Sequence, residues 1–180
     1  GEHLVFNAFF RDQSERTWIG TLHGLYEFKE KEGQFSSSSF NHEALNKRVE
    51  EIVQLPNGTF IFGTRGSGLI YHSVDTTYAI KQNNGLAANN IRNLHLTTEG
   101  VLWVATLQGI SKLQFNEEGK VESIRSFSKA HGLVSEEVYD IHYLDQSIWL
   151  ATGKGVQQFR EPQIITSSPA PIIQTLYING

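Results

Sequence analysis

Apolar residues fall in short runs between polar turns, and one run is written four times. Residues 17–28 read TWIGTLHGLYEF, 60–72 FIFGTRGSGLIYH, 102–115 LWVATLQGISKLQF and 148–159 IWLATGKGVQQF. Each copy carries a threonine (Thr21, Thr64, Thr106, Thr152), spaced by 43, 42 and 46 residues. Two adjacent apolar positions precede it: Trp18-Ile19, Ile61-Phe62, Trp103-Val104 and Trp149-Leu150. A strand that is apolar at successive positions is buried on both faces. Between the tryptophan-type residue and the threonine sits a small one, Gly20, Gly63, Ala105 or Ala151. Large beside small suits interdigitating layers.

Upstream of each run lies a segment with apolar residues three apart: Val5/Ala8, Val49/Ile52, Ile91/Leu94 and Val138/Ile141. Polar turns join it to the run: Pro56-Asn57-Gly58, Glu99-Gly100, Asp145-Gln146, and a longer one from Asp12 to Arg16. Such pairs favour tight hairpins because they accept positive φ. A glycine turn (Gly24, Gly68, Gly109, Gly155) leads to a third strand. A fourth, more polar strand is expected over 34–40, 77–81, 121–128 and 163–166, where it would face water as an outer edge. The reading is all-β. Residues 41–53 also fit a helix, with Leu45, Val49 and Ile52 on one face, but residues 85–96 in the equivalent place have no such face, and the repeat overrules it.

A period of this length marks a stacked array whose units cannot bury their apolar faces alone. Four antiparallel four-stranded units make β-propeller blades, since propellers have ~4–8 of them. The blades are expected over about 4–43, 44–84, 85–130 and 131–165. Leucine-rich horseshoes have shorter units and asparagine ladders, which are missing.

At 180 residues, with 39% hydrophobic and 19% charged residues, the chain can bury a core. A net charge of −4 without a basic stripe argues against nucleic acid. No apolar run approaches the ~20 residues of a membrane helix. Cysteine is absent, so thiolate and disulfide chemistry are excluded. Methionine is absent even at position 1, so the chain reads as a piece of a larger protein.

Gly85-Leu86 with Asn89, then Ile91 through the LWVAT-x-x-GI run to Ile110, resembles the two-component regulator propeller repeat. The third and fourth units match best. The second carries Ala44-Leu45 for the Gly-Leu pair and one extra turn residue, in Gly66-Ser67-Gly68; the likeness covers residues 5–159. Pro169 to Gly180 looks like the start of the immunoglobulin-like domain that follows such propellers. The resemblance implies a periplasmic sensor segment, with a membrane helix and a histidine kinase elsewhere in the parent. It implies an oligosaccharide-responsive, non-catalytic role without cofactor. Because the tail marks a propeller's end, the four blades read as the C-terminal arc of a larger propeller rather than a closed ring. An open arc has two apolar flanks, so self-association as a dimer is expected. A propeller enzyme acting on glycans or lactones, and a passive protein-interaction scaffold, are the alternatives.

Site chemistry is sparse. His95 and His142 occupy equivalent positions, each four residues after the first apolar residue of its unit, where the other units carry Phe9 and Val53. A metal site needs three or more converging ligands, so this reads as packing and no metal is expected. Glu50-Glu51, Glu117-Glu118 and Glu136-Glu137 read as solvated turn and strand-end charges rather than acid–base pairs. GTRGSG and GKG lack the lysine–serine of a phosphate loop. The best ligand position is a rim of equivalent loops. The turns between second and third strands supply His23, Arg65, Gln108 and Lys154. The loops before the first strands supply Asn46, Asn89, Asn90 and Glu136. Arg65 is the leading candidate: the extra turn residue would lift it, and arginine binds anions or sugar hydroxyls bidentately.

Overall fold

The computed structural model describes residues 5–145 and 147–162. They form fifteen strands in four antiparallel sheets. The first sheet holds β1 (Phe6–Arg11), β2 (Thr17–Thr21), β3 (Gly24–Lys29) and β4 (Gln34–Ser37). The second holds β5 (Val49–Gln54), β6 (Phe60–Thr64), β7 (Leu69–His72) and β8 (Thr77–Ile80). The third holds β9 (Ile91–Leu96), β10 (Leu102–Thr106), β11 (Gly109–Phe115) and β12 (Val121–Phe127). The fourth has β13 (Val138–Leu144), β14 (Ser147–Thr152) and β15 (Gly155–Phe159). Strands follow one another in chain order within every sheet. The fourth strand expected at 163–166 and the tail from Pro169 lie outside the described residues. In residues 41–53 only Glu43–Asn46 is helical, as one 3₁₀ turn, and β5 follows.

Blades stack through the repeat's two apolar faces. Trp18 packs with Phe60 and Phe62 of the second blade. Ile61 and Tyr71 meet Leu102 and Val104 of the third. Trp103 and Phe127 meet Ile148, Leu150 and Phe159 of the fourth. β2, β6 and β10 are buried at all five positions, whereas β14 is exposed at Trp149 and Ala151. Among the described residues no blade covers that side of β14, and the four sheets form an open arc.

Apolar residues three apart would face opposite ways on a regular strand. A β-bulge reconciles them. Val49 pairs Thr64 and Glu51 pairs Gly63, leaving Glu50 as the extra residue. Arg92 and Tyr139 are the extra residues in β9 and β13. In β1, Phe6 pairs Thr21 and Ala8 pairs Gly20, with Asn7 extra. This corrects the first-blade pair from Val5/Ala8 to Phe6/Phe9. It also makes Phe10, paired with Trp18, the counterpart of His95 and His142, in place of Phe9. Each bulge adds an unpaired residue and bends its strand.

Candidate functional site

The repeated threonine fastens the rim. In every blade its hydroxyl donates to the carbonyl of the turn glycine: Thr21 to Gly24 at 3.0 Å, Thr64 to Gly68 at 2.7 Å, Thr106 to Gly109 and Thr152 to Gly155 at 2.8 Å. The same oxygen accepts a backbone N–H from inside the turn, that of His23, Ser67, Gln108 or Lys154. The turn glycine is required by shape as well. Gly109 has φ 113°, and a Cβ there would lie 2.2 Å from the Phe127 carbonyl oxygen.

These turns lock onto the lead-in loop of the next blade. Gly66 and Gly68 N–H both donate to the Asn89 carbonyl at 3.0 Å, and Gly109 N–H to the Glu136 carbonyl at 2.7 Å. Arg65 forms an isolated antiparallel bridge with Asn90. Gly24 lies against Leu45 and Asn46. The structure thus brings Arg65 together with Asn89 and Asn90, and the Gln108 turn together with Glu136. His23 precedes the glycine that lies against Asn46, while Lys154 belongs to the last of the four described blades. His23, Arg65, Asn90, Gln108, Glu136 and Lys154 are exposed. Asn89 is half-buried and already serves the scaffold, because its Oδ1 accepts from Gln82 N–H at 2.8 Å.

Arg65 is not lifted outward by the extra residue. Ser67 takes the place of the ordinary turn residue, while Arg65 N–H donates to the Arg48 carbonyl at 3.1 Å. The Arg65 guanidinium turns inward, with Nη1 3.6 Å from Glu50 Oε1. Glu50 is buried, and Arg48 approaches the same oxygen at 2.8 Å through Nε. That contact is ionic rather than a well-aligned hydrogen bond. Glu50-Glu51 is therefore not a solvated strand-end pair. The bulge tucks Glu50 under the rim between two arginines and turns Glu51 toward the next blade.

Beneath the rim the first strands β1, β5, β9 and β13 adjoin one another in sequence, and their bulges carry a polar row. Asn93 Nδ2 donates to Glu51 Oε1 at 3.2 Å, and Asn93 Oδ1 accepts from Ile141 N–H at 3.3 Å. One asparagine so links blades two, three and four. Burial pushes the Glu51 carboxyl up to about 7; the Asn93 hydrogen bond opposes this, and the charges of Asp140 and Glu50 add to it. One step along the same strands, His95 and His142 meet edge to face at 4.5 Å. Burial, then His142, makes His95 harder to protonate, against the pull of Asp140. Among the described residues no three metal-ligating side chains come together.

The sequence reading missed this polar row and the role of the threonine. A signal for the row is present: the two residues between each apolar pair are Asn-Ala, Glu-Glu, Arg-Asn and Tyr-Asp, polar at seven of the eight positions. The larger depressions lie elsewhere. One of about 580 Å³ lies between blades two and three, beside Tyr71, Tyr78 and Lys120. Another of about 530 Å³ lies between blades three and four, beside Trp103, Lys112 and Glu161. None of the seven rim candidates lines either one.

No protein-family profile matches the chain, and no curated protein does. Solved structures do match. The extracellular domain of the hybrid two-component system BT4673 from B. thetaiotaomicron superposes with TM-score 0.67 at 21% identity, over 94% of this chain and 23% of that one. The fold is that of a β-propeller. The corresponding domain of BT3049 from the same organism gives 0.63 at 20%, over 84% of this chain and 21% of that one. Virginiamycin B lyase from Staphylococcus aureus gives 0.55 at 13%, over 87% and 56%. The chain thus spans under a quarter of the length of those two extracellular domains.

Proposed function

We propose that this chain is an extracytoplasmic sensing segment of a two-component receptor, and that it relays a ligand signal without chemistry of its own. What supports the reading most is the rim, where the turn of one blade is hydrogen-bonded to the lead-in loop of the next. A ligand spanning adjacent loops would bear on the stacking of whole blades. The similarity to extracellular domains of two-component systems in B. thetaiotaomicron agrees with it. The ligand class is an oligosaccharide, held by His23, Arg65, Gln108, Lys154, Asn90 and Glu136, with Asn89 setting the loop. Signal would pass to the following domain through the segment beginning near Pro169. Association through the apolar flanks is part of the same reading.

The test is a thermal-shift screen of the chain against neutral and acidic oligosaccharides. A ligand at 100 times its Kd stabilises by about 2.7 kcal/mol, which raises Tm by roughly 5–10 °C for a domain of this size. The rise should be lost in Arg65→Ala. Turnover of a glycan or a lactone by the chain would overturn the non-catalytic reading.

A further inference from the structure

Blade two departs from the repeat in charge, and it does so at one place on the rim. The residue after the threonine is Arg65 there, where the other blades carry Leu22, Leu107 or Gly153. Its bulge residue is Glu50, where the others carry Asn7, Arg92 or Tyr139. Together with Arg48 this sets two arginines around one buried carboxylate. The two arginines are not equivalent. Arg48 reaches both carboxylate oxygens, through Nε at 2.8 Å and Nη2 at 3.3 Å. Arg65 approaches Oε1 alone, at 3.6 Å, beyond hydrogen-bond reach. Arg48 therefore suffices to neutralise Glu50, and the Arg65 charge is in excess. Among the described residues the Arg65 guanidinium makes no hydrogen bond, and its side chain is 36% exposed.

We propose that the ligand of this rim carries an acid group, a carboxylate or a sulfate, and that Arg65 is the residue that takes it. The proposal rests on the reading of the rim as a sugar site and adds the charge of the sugar. The stem of Arg65 is fixed before a ligand arrives: its N–H donates to the Arg48 carbonyl, and its backbone is bridged to Asn90. A held guanidinium fork with open donors favours an oxyanion over a hydroxyl, because charge-assisted bonds are roughly twice as strong as neutral ones. The adjacent Glu51 turns to Asn93 in the next blade, and burial pushes its carboxyl up to about 7, so at pH 6 it cancels little of the Arg65 charge. Asn90 adds a neutral donor and acceptor on the same stretch of rim, suited to a sugar hydroxyl. The second and third blades, which build this place, each have described blades on either side.

The test uses the 180-residue chain at pH 6 and two probes. Inorganic sulfate, titrated against chloride of equal ionic strength, should shift the Arg65 Nε–H signal in NMR spectra saturably, with a Kd of about 1–10 mM for two charge-assisted hydrogen bonds. It should raise Tm in the parent and in Lys31→Gln, which removes an exposed cation of the first blade, but not in Arg65→Gln. Uronic-acid oligosaccharides, each paired with its neutral methyl ester, should bind about tenfold or more tightly as the free acid, a preference that Arg65→Gln removes. Sulfate that leaves the Arg65 signal unmoved, or that stabilises Arg65→Gln as much as the parent, overturns the proposal. A methyl ester that binds as tightly as its acid also overturns it, and leaves the sugar-sensing reading standing. Sulfate held at Arg65 with no oligosaccharide bound has the opposite meaning: the anion site stands and the sugar reading falls.

Discussion

Replacing Glu51 by glutamine tests whether the row under the rim is as dry as its geometry implies. The carboxyl lies between two blades, accepts from Asn93 Nδ2, and has Asp140 and Glu50 nearby. Its ordinary value of 4.5 is pushed up to about 7, chiefly by burial. The folded chain therefore holds this proton more tightly than the unfolded chain does. Stability is unaffected below about pH 4.5, falls as pH rises through the window from 4.5 to 7, and stays reduced above it. At 1.36 kcal/mol per pKa unit the full gap is about 3 kcal/mol. Glu51 keeps partial contact with water, so screening cuts this to about 1–2 kcal/mol.

Glutamine keeps the oxygen that accepts from Asn93 and removes the titration. Urea unfolding of both proteins at pH 5 and pH 8 isolates the effect. Every other charged group is common to both proteins, so it cancels in the difference between them. The variant should gain about 1–2 kcal/mol on the parent between the two pH values. A difference that does not change with pH would refute the burial argument. A parent that gains on the variant at pH 8 would mean the carboxylate is paired rather than stranded.

Two further substitutions probe the blade scaffold. Thr106→Val keeps the shape but removes the hydroxyl that serves Gly109 O and Gln108 N–H; chemical denaturation should show a loss of about 1–3 kcal/mol, and a neutral result would deny the threonine its role in fastening the rim. Asp12→Asn attacks a fully buried carboxylate that accepts from Trp18 Nε1 at 2.9 Å and Arg16 Nε at 2.8 Å. Burial alone would raise that carboxyl, yet the hydrogen bonds of Trp18 and Arg16 with the Arg16 charge hold it below its ordinary value. Its stabilisation is present above the ordinary carboxylate range and is lost as pH falls through the lowered value. The variant should cost about 1–3 kcal/mol at pH 7 and less in acid; a cost that persists unchanged in acid would oppose the assignment.

The four sheets and their strand order were legible because they follow from period and from side-chain size. Trp18, Ile61 and Trp103 recur at a fixed distance from a glycine or alanine, and only stacked sheets make use of that pairing. The chemistry was less legible because it hangs on one inserted residue per inner strand. A bulge shifts every later side chain to the other face, so Glu50 and Glu51 read as a surface pair until Val49 is seen opposite Thr64 and Glu51 opposite Gly63. The first blade hid its register for the same reason, because Val5, Phe6, Phe9 and Phe10 are all apolar and spacing alone does not choose among them. Arg65 misled differently. An extra turn residue implies a longer loop, but the Gly66 and Gly68 N–H groups turn to the Asn89 carbonyl and the Arg65 guanidinium to buried Glu50. The repeat therefore specifies the scaffold, while the departures from it, at the bulges and in the second turn, place charge under the rim. Side chains that break the repeat are where recognition in this fold is best sought.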